Sequence, residues 1–229
     1  MNSEKSLNAS GRIDGQHANH AQRVAVTGSK RAALFFAIAA VLASGCGAAR
    51  PAKYYQMELP SDPSPARTNE PLAITLLLGR LKASHLYRED RIVYSSKGEE
   101  MGTYQYQRWT EPPTEMIDEM LLRGLRATGR YQGVYLLSST TRGDYLLHGQ
   151  LFDFKEISSG TMQARVTLEL ELRDTKSGAT VWTHSYTHDE PVSGKEVTAV
   201  VAALNRNVQR CVGEVRTSLD EYFASHPAK

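Results

Sequence analysis

Apolar and polar residues alternate without a break in Arg165-Val166-Thr167-Leu168-Glu169-Leu170-Glu171-Leu172-Arg173. Successive side chains of a β-strand point to opposite faces, so this pattern predicts a strand with one buried and one solvated face. Further strands are predicted before it at 133–138 and 145–157, and after it at 179–188. We expect these consecutive strands to be antiparallel neighbours.

On either side of these strands, the sequence predicts two helices. One covers 110–128, where apolar residues recur at helical spacing behind Pro112-Pro113. The other covers 195–224 and carries a single apolar stripe that includes Cys211. Earlier strands are predicted at 54–59, 72–78, 91–95 and 102–107, the last two forming a hairpin. The prediction is an α+β fold in which both helices pack on one side of a mainly antiparallel sheet.

Composition excludes several classes of protein. The 229 residues are 41% hydrophobic and 23% charged, which is typical of a globular chain. The 27 basic and 25 acidic residues are too nearly balanced for a nucleic-acid-binding face. Two cysteines are too few for a disulfide scaffold. His184 and His188 would stand about 13 Å apart along one strand face, too far to share a metal ion, so no metal site is expected.

Catalytic motifs are also missing from the sequence. It holds no G-x-S-x-G elbow, phosphate loop, dinucleotide fingerprint or H-E-x-x-H. Asp153 with Glu156, or Glu169 with Glu171, could form a carboxylate pair, but a solvated strand face explains these residues more simply. We therefore expect a protein that is not an enzyme and has no cofactor.

The amino terminus has the features of an export signal. Lys30-Arg31 precede an uncharged apolar run at 32–43, which is shorter than the roughly 20 residues that span a bilayer. A transmembrane helix is the weaker alternative. The following Leu42-Ala43-Ser44-Gly45-Cys46 resembles the bacterial lipobox. That resemblance implies removal of residues 1–45, acylation of Cys46, a lipidated tether at 46–52 and a single periplasmic domain at 53–229.

Residues after the lipobox suggest where the mature chain resides. An acidic residue just after the modified cysteine favours retention in the inner membrane of two-membrane bacteria, and Gly47-Ala48 stand there instead. By resemblance, the protein is anchored in the outer membrane through its lipid and faces the periplasm. Residues 46–229 carry 22 basic and 23 acidic residues, a net charge of −1, so the positive overall net charge comes from the five basic and two acidic residues of the leader.

Aromatic residues are concentrated in one short part of the chain. Tyr104, Tyr106 and Trp109 lie close together, with Arg108 among them. One interpretation is core packing on a strand, since aromatic residues favour strands. The other is a surface that binds a partner protein, because Tyr, Trp and Arg are frequent anchors in interfaces. The sequence leaves both interpretations open.

The segment Tyr106-Gln107-Arg108-Trp109-Thr110-Glu111-Pro112-Pro113, followed by an amphipathic helix and Gly133-Val134, resembles the ABC-type transport auxiliary lipoprotein family, to which PqiC-type lipoproteins belong. An early Tyr54-Tyr55 strand, Val181-Trp182, the lipobox and the terminal helix complete the pattern. The resemblance covers essentially the whole mature chain.

This resemblance implies a docking component of a transport system. Its partners would be an ABC permease and ATPase and a protein with mammalian-cell-entry (MCE) domains, and the cargo would be phospholipid or another hydrophobic molecule moved between the two membranes. The docking component would act as a collar that grips the end of the MCE assembly, and a homo-oligomeric ring is one arrangement that the resemblance implies. Two alternatives remain: an envelope lipoprotein that regulates a cell-wall enzyme or acts as a scaffold, and a lipid carrier with its own apolar pocket.

Overall fold

The computed structural model describes residues 50–58, 71–97 and 99–227. The chain divides into two units, Met1–Arg50 and Pro51–Lys229, and the fold below is that of the second. Within the described residues, nine strands form one sheet: β1 (Lys53–Tyr55), β2 (Leu72–Leu78), β3 (Lys82–Ala83), β4 (Arg91–Lys97), β5 (Glu100–Trp109), β6 (Tyr131–Leu136), β7 (Tyr145–Ile157), β8 (Gln163–Asp174) and β9 (Thr180–Pro191). A short 3₁₀ helix, His85–Tyr87, precedes β4.

Strand β7 is the centre of the sheet. One of its edges pairs with β8 along the whole strand, from Tyr145 opposite Asp174 to Ile157 opposite Gln163. Its other edge meets three strands in succession, β2 at the beginning, β3 in the middle and β4 at the end, all parallel to it. The sheet therefore divides beyond β7 into two arms, one made of β2 and β6 and the other of β4, β5 and β1.

The longest ladders, β7 with β8 and β8 with β9, are antiparallel, as the sequence predicted. The hairpin of β4 and β5 is also confirmed. The expected antiparallel pairing of the 133–138 strand with the strand after it is wrong, because β2 lies between β6 and β7 and pairs with both in parallel. The sheet is thus mostly, but not purely, antiparallel.

Two α-helices in the described part of the chain complete the α+β fold. Helix α1 (Pro113–Ala127) begins at the second of the two prolines that follow Glu111, and helix α2 (Val197–Ser225) is the last element of the fold. The start of α1 is three residues later than predicted because the backbone amides of Trp109 and Thr110 are still bound to Asp90 and Tyr55 of neighbouring segments. Helix α1 ends at Ala127, and Gly129 just beyond it has a φ of 59°, the left-handed conformation that glycine adopts at little cost.

The core lies between the helices and one face of the sheet. The alternating residues of β8, from Val166 to Leu172, are at most 1% exposed, which confirms the buried face predicted for this strand. Cys211 on α2 is also 1% exposed and belongs to the core face, as its place in the apolar stripe indicated. Within the described ranges, no helix combines the length and the apolar character that a membrane crossing needs.

Helices α1 and α2 approach each other closely at one glycine. A Cβ atom built on Gly124 would lie 2.5 Å from Cγ1 of Val212. Real Cβ atoms do not approach other atoms so closely, so this crossing requires a residue without a side chain on α1. The contact fixes the position of α1 above β6, and the first turns of α1 border the cleft described below.

Candidate functional site

The predicted lipid attachment site, Cys46, lies outside the described residues, as do the signal segment at 1–45 and most of the tether. Their assignment stays a prediction. The four predicted partner-binding residues, Tyr104, Tyr106, Arg108 and Trp109, all lie on β5, where the structure places them in different environments.

Tyr104 takes part in a half-buried polar contact. Its hydroxyl donates a hydrogen bond of 2.6 Å to Oε2 of Glu156, a residue that is only 3% exposed. Its ring meets that of Tyr94 edge to face, with 5.2 Å between centroids. Burial, and then the bond to Glu156, raise the pKa of the Tyr104 hydroxyl, so it remains a donor over the physiological range.

Trp109 is a core residue. It is 1% exposed, and its ring centroid lies 5.5 Å from that of Phe154. For this residue the core-packing interpretation therefore applies, and the expectation that it belongs to an exposed contact surface is corrected by its burial. Arg108 is half-buried and donates a hydrogen bond of 2.7 Å to Asp90, while Tyr106 is also half-buried. The four residues do not share one open surface.

A cleft that the sequence did not indicate has the larger volume of the two surface cavities described here. It measures about 710 Å³ and opens where the carboxyl ends of β2 and β6 meet the amino-terminal half of α1. Its walls carry apolar, acidic and basic side chains together. The lining residues are Gln56, Leu78, Arg80, Glu111, Glu115, Asp118, Glu119, Arg123, Leu136, Leu137 and Ser138.

Asp118 is the most buried charged residue of this cleft. It is 9% exposed, and its Oδ1 accepts a hydrogen bond of 3.2 Å from the backbone amide of Leu81. Burial raises the pKa of Asp118 to about 7, although the Leu81 amide and the nearby Arg80 guanidinium oppose the shift. Near neutral pH this carboxyl group exists as both the acid and the carboxylate, which makes it sensitive to any cation placed beside it.

The two cations of the cleft are paired with exposed or half-buried carboxylates. Nη1 of Arg80 lies 3.6 Å from Oε1 of Glu115, and Nε of Arg123 lies 2.6 Å from Oε1 of Glu119. The four carboxyl groups of the cleft outnumber the two guanidinium groups, so its formal charge is −2 when Asp118 is ionised and −1 when Asp118 is protonated. The amino-terminal end of α1 partly balances this charge, since helix N-termini favour acidic groups.

The apolar part of the cleft is formed by the end of β6. Tyr135, Leu136 and Leu137 are 38%, 41% and 51% exposed. Leu136, the last residue of β6, and Leu137 just beyond it both line the cleft and place apolar surface beside its acidic wall, at the end of a strand that pairs with only one neighbour. Contiguous apolar surface on a folded protein is a frequent mark of a contact site. Sequence alone could not reveal it, because a run of apolar residues reads equally well as a buried strand.

A second, more open groove of about 460 Å³ lies between β9 and α2. His184 and Tyr186 line its strand side, and the ring of Trp182, which does not line the groove, stacks on that of His184. His188 does not converge on His184, and its Nε2 instead lies 2.9 Å from Oε2 of Glu214 on α2. Among the described residues, no three His, Cys, Asp or Glu side chains are grouped so as to hold a metal ion.

Comparison with known proteins places the chain in a family. Residues 55–215 match the ABC-type transport auxiliary lipoprotein component family, and the chain belongs to this family. Two similar solved structures show the same fold. One is protein XCC0632 from Xanthomonas campestris, which is 23% identical, with a TM-score of 0.64 over 72% of this chain and 93% of that one.

The other is an uncharacterised protein, 13% identical, with a TM-score of 0.59 over 74% of this chain and 99% of that one. No curated protein matches the chain. Family membership establishes a lipoprotein component of an ABC-type transport system, which is the class that the Arg108 to Pro113 segment indicated.

Proposed function

We propose that this chain is a non-catalytic docking subunit of an ABC transport system that moves phospholipid or another hydrophobic cargo between the two membranes. In this proposal residues 1–45 are removed on export, residues 46–52 form a lipidated tether, and the domain at 53–229 faces the periplasm from the outer membrane. The partners are an MCE-domain protein with its permease and ATPase. The match of residues 55–215 to the transport auxiliary family carries the proposal.

The packing of the interior supports docking in preference to carrying lipid. Leu121 of α1, Leu170 of β8 and Val215 of α2 are all fully buried, and the two helices touch at Gly124. Both cavities described above open at the surface and are lined with charged groups. A lipid carrier needs an apolar volume that encloses most of its ligand. A solid core with exposed apolar residues at its rim fits a protein that binds another protein.

The experiment is a pull-down from detergent-solubilised membranes with a tag after Lys229. Wild type is compared with Cys46→Ala, and the recovered proteins are identified by mass spectrometry. We expect an MCE-domain protein, a permease and an ATPase with the wild type, and we expect the Cys46→Ala protein to leave the membrane fraction. Recovery of cell-wall enzymes in place of the transporter would instead favour the regulatory alternative.

A further inference from the structure

The cleft between α1 and β6 has an unbalanced charge at its most buried point. Arg80 and Arg123 are each paired with a glutamate, whereas Asp118 and Glu111 have no ion pair with another described residue. Asp118 is the buried one of the two. A buried carboxylate without an ion-pair partner is costly, and the nearby Arg80 guanidinium is paired with Glu115, so a cation brought to Asp118 recovers part of that cost. The cleft is therefore complementary to a positive charge.

The same cleft is complementary to apolar groups. Leu136 and Leu137 are each about half exposed beside the acidic wall, and Leu78 lines the interior. A lysine or arginine side chain has the matching form, since its aliphatic stem packs on apolar surface while its charged end reaches a polar group. A segment that places apolar residues next to such a side chain would cover both parts of the cleft at once.

We propose that the cleft receives a lysine or arginine side chain from an apolar segment of the partner protein, with the cationic group against Asp118 and the neighbouring apolar side chains on Leu136 and Leu137. The inference names the contact chemistry of the docking function proposed above and rests on that function.

A protein segment fits the cleft better than a phospholipid headgroup. The phosphodiester of a headgroup would add a negative charge to a site that already holds Glu111, Glu115, Asp118 and Glu119. The guanidinium groups that could offset it are engaged with two of those carboxylates. An occupant whose charge is opposite to that of the cleft is favoured, and one of like charge is disfavoured. A cationic peptide is therefore the preferred occupant.

The direct test uses three fluorescently labelled peptides of sequence Ser-Leu-Leu-X-Leu-Ser, in which X is lysine, norleucine or glutamate. Binding to the full-length protein in detergent is followed by fluorescence anisotropy. We expect the lysine peptide to bind at least tenfold more tightly than the norleucine peptide, and the glutamate peptide to bind most weakly. Equal affinity for the lysine and norleucine peptides would overturn the proposal, because the cleft would then be an apolar surface only.

Three variants test whether the preference for the lysine peptide arises at Asp118. Asp118→Asn keeps an oxygen that can accept from the Leu81 amide, so the fold should persist, and the lysine preference should fall to less than twofold. Glu100→Gln, which removes one exposed carboxylate at the far end of β5, is the matched control and should keep the preference. Leu137→Ser should weaken all three peptides by a similar factor. Loss of the preference in Glu100→Gln, or its survival in Asp118→Asn, would contradict the site.

The pH dependence of the affinity for the lysine peptide is a test that is independent of the comparison between peptides. The charged groups that face Asp118 are Arg80, Glu111, Glu115, Glu119 and Arg123. Affinity for the lysine peptide should decrease as the pH falls below about 7, where Asp118 becomes protonated, and the Asp118→Asn protein should lose this dependence. Tighter binding of short-chain phosphatidylethanolamine than of the lysine peptide would overturn the assignment to a protein partner.

The pull-down separates this inference from the function on which it rests. If the wild type recovers the transporter and Asp118→Asn recovers it equally well, the docking function stands and the cleft is not the contact. If the wild type recovers no ABC subunit, the docking function fails whatever the peptides show. Recovery with the wild type and Glu100→Gln, together with loss in Asp118→Asn, supports both.

Discussion

Asn207 joins helix α2 to the sheet through its side-chain amide. The residue is 1% exposed, and its Nδ2 donates hydrogen bonds of 2.8 Å to the carbonyl of Ala164 on β8 and 3.2 Å to that of His188 on β9. Asn207→Ala removes the donor from both carbonyls and should lower the free energy of unfolding by about 2 kcal/mol. Urea denaturation followed by circular dichroism measures this. Gln209→Ala, at an exposed position on the same helix, should change the stability by less than about 0.5 kcal/mol.

Asp118 should make stability depend on pH in a defined direction. Its pKa is about 7 in the folded chain, against 3.8 for an ordinary aspartate side chain, so the folded state holds the proton over a range in which the unfolded state has lost it. The stabilisation is complete below about pH 4 and is lost as the pH rises through 7. We expect the difference in stability between wild type and Asp118→Asn to change across this range in that sense. A difference that stays constant from pH 4 to 8 would contradict the shifted pKa.

For the aromatic residues of β5, the sequence predicted the strand but not which side chains are buried. Strand propensity placed Tyr104, Tyr106 and Trp109 on one strand, and that is confirmed. Which of them are buried depends on the pairing of β4 with β5, whose register shifts between Arg91 and Val93. A bulge of this kind reverses the faces of the residues beyond it, and alternation in the sequence does not reveal it. The burial of Trp109 could therefore not be predicted.

Helices α1 and α2 offer a matched comparison at the scale of elements. Gly124 and Gly213 both lie inside helices, but a Cβ atom at Gly124 meets Val212, whereas one at Gly213 meets nothing within 4 Å. Gly124→Ala should lower the free energy of unfolding by about 1–2 kcal/mol through crowding. Gly213→Ala should raise it by about 0.5–1 kcal/mol through lower backbone entropy. Thermal unfolding of the two variants beside wild type gives both signs, and the same sign for both would refute the close crossing.

Strand order was predictable in one half of the sheet and not in the other. Strands β7, β8 and β9 follow one another in sequence and in space, because short connections favour antiparallel neighbours. Strand β2 pairs with β6 and β7 across a long stretch of chain that includes α1. The apolar run at 72–78 predicted a buried strand correctly, but no local pattern specifies which distant strands it joins. The cleft forms because of that long-range pairing, so it could not be predicted from the sequence either.

At the scale of the whole molecule, the thiol of Cys211 reports on global unfolding. It lies in the core, where burial raises its pKa to about 12. Because the thiolate is the reactive form, the folded protein should resist thiol reagents at pH 8. In Cys46→Ala, which leaves Cys211 as the single cysteine, we expect no labelling over minutes in buffer and one equivalent in guanidinium chloride.

A cysteine placed at the exposed Ser193 is the control for access and should be labelled at once in buffer. Rapid labelling of Cys211 in the folded protein would mean that α2 opens locally from the sheet. The labelling rate of Cys211 thus measures directly how firmly the apolar stripe of α2 is packed against the sheet.

Strand β1 has a mechanical consequence for a chain attached near its amino terminus. It contributes three residues, paired in parallel with the end of β5, and one further hydrogen bond, which the backbone amide of Thr110 donates to the carbonyl of Tyr55. The next strand begins at Leu72. A pull on Lys53 would peel away this short pairing before it strained β7. Met57, which is 2% exposed and packs in the core, would be the next point of resistance, so a force on the anchor would reach the core only after β1 had separated from β5.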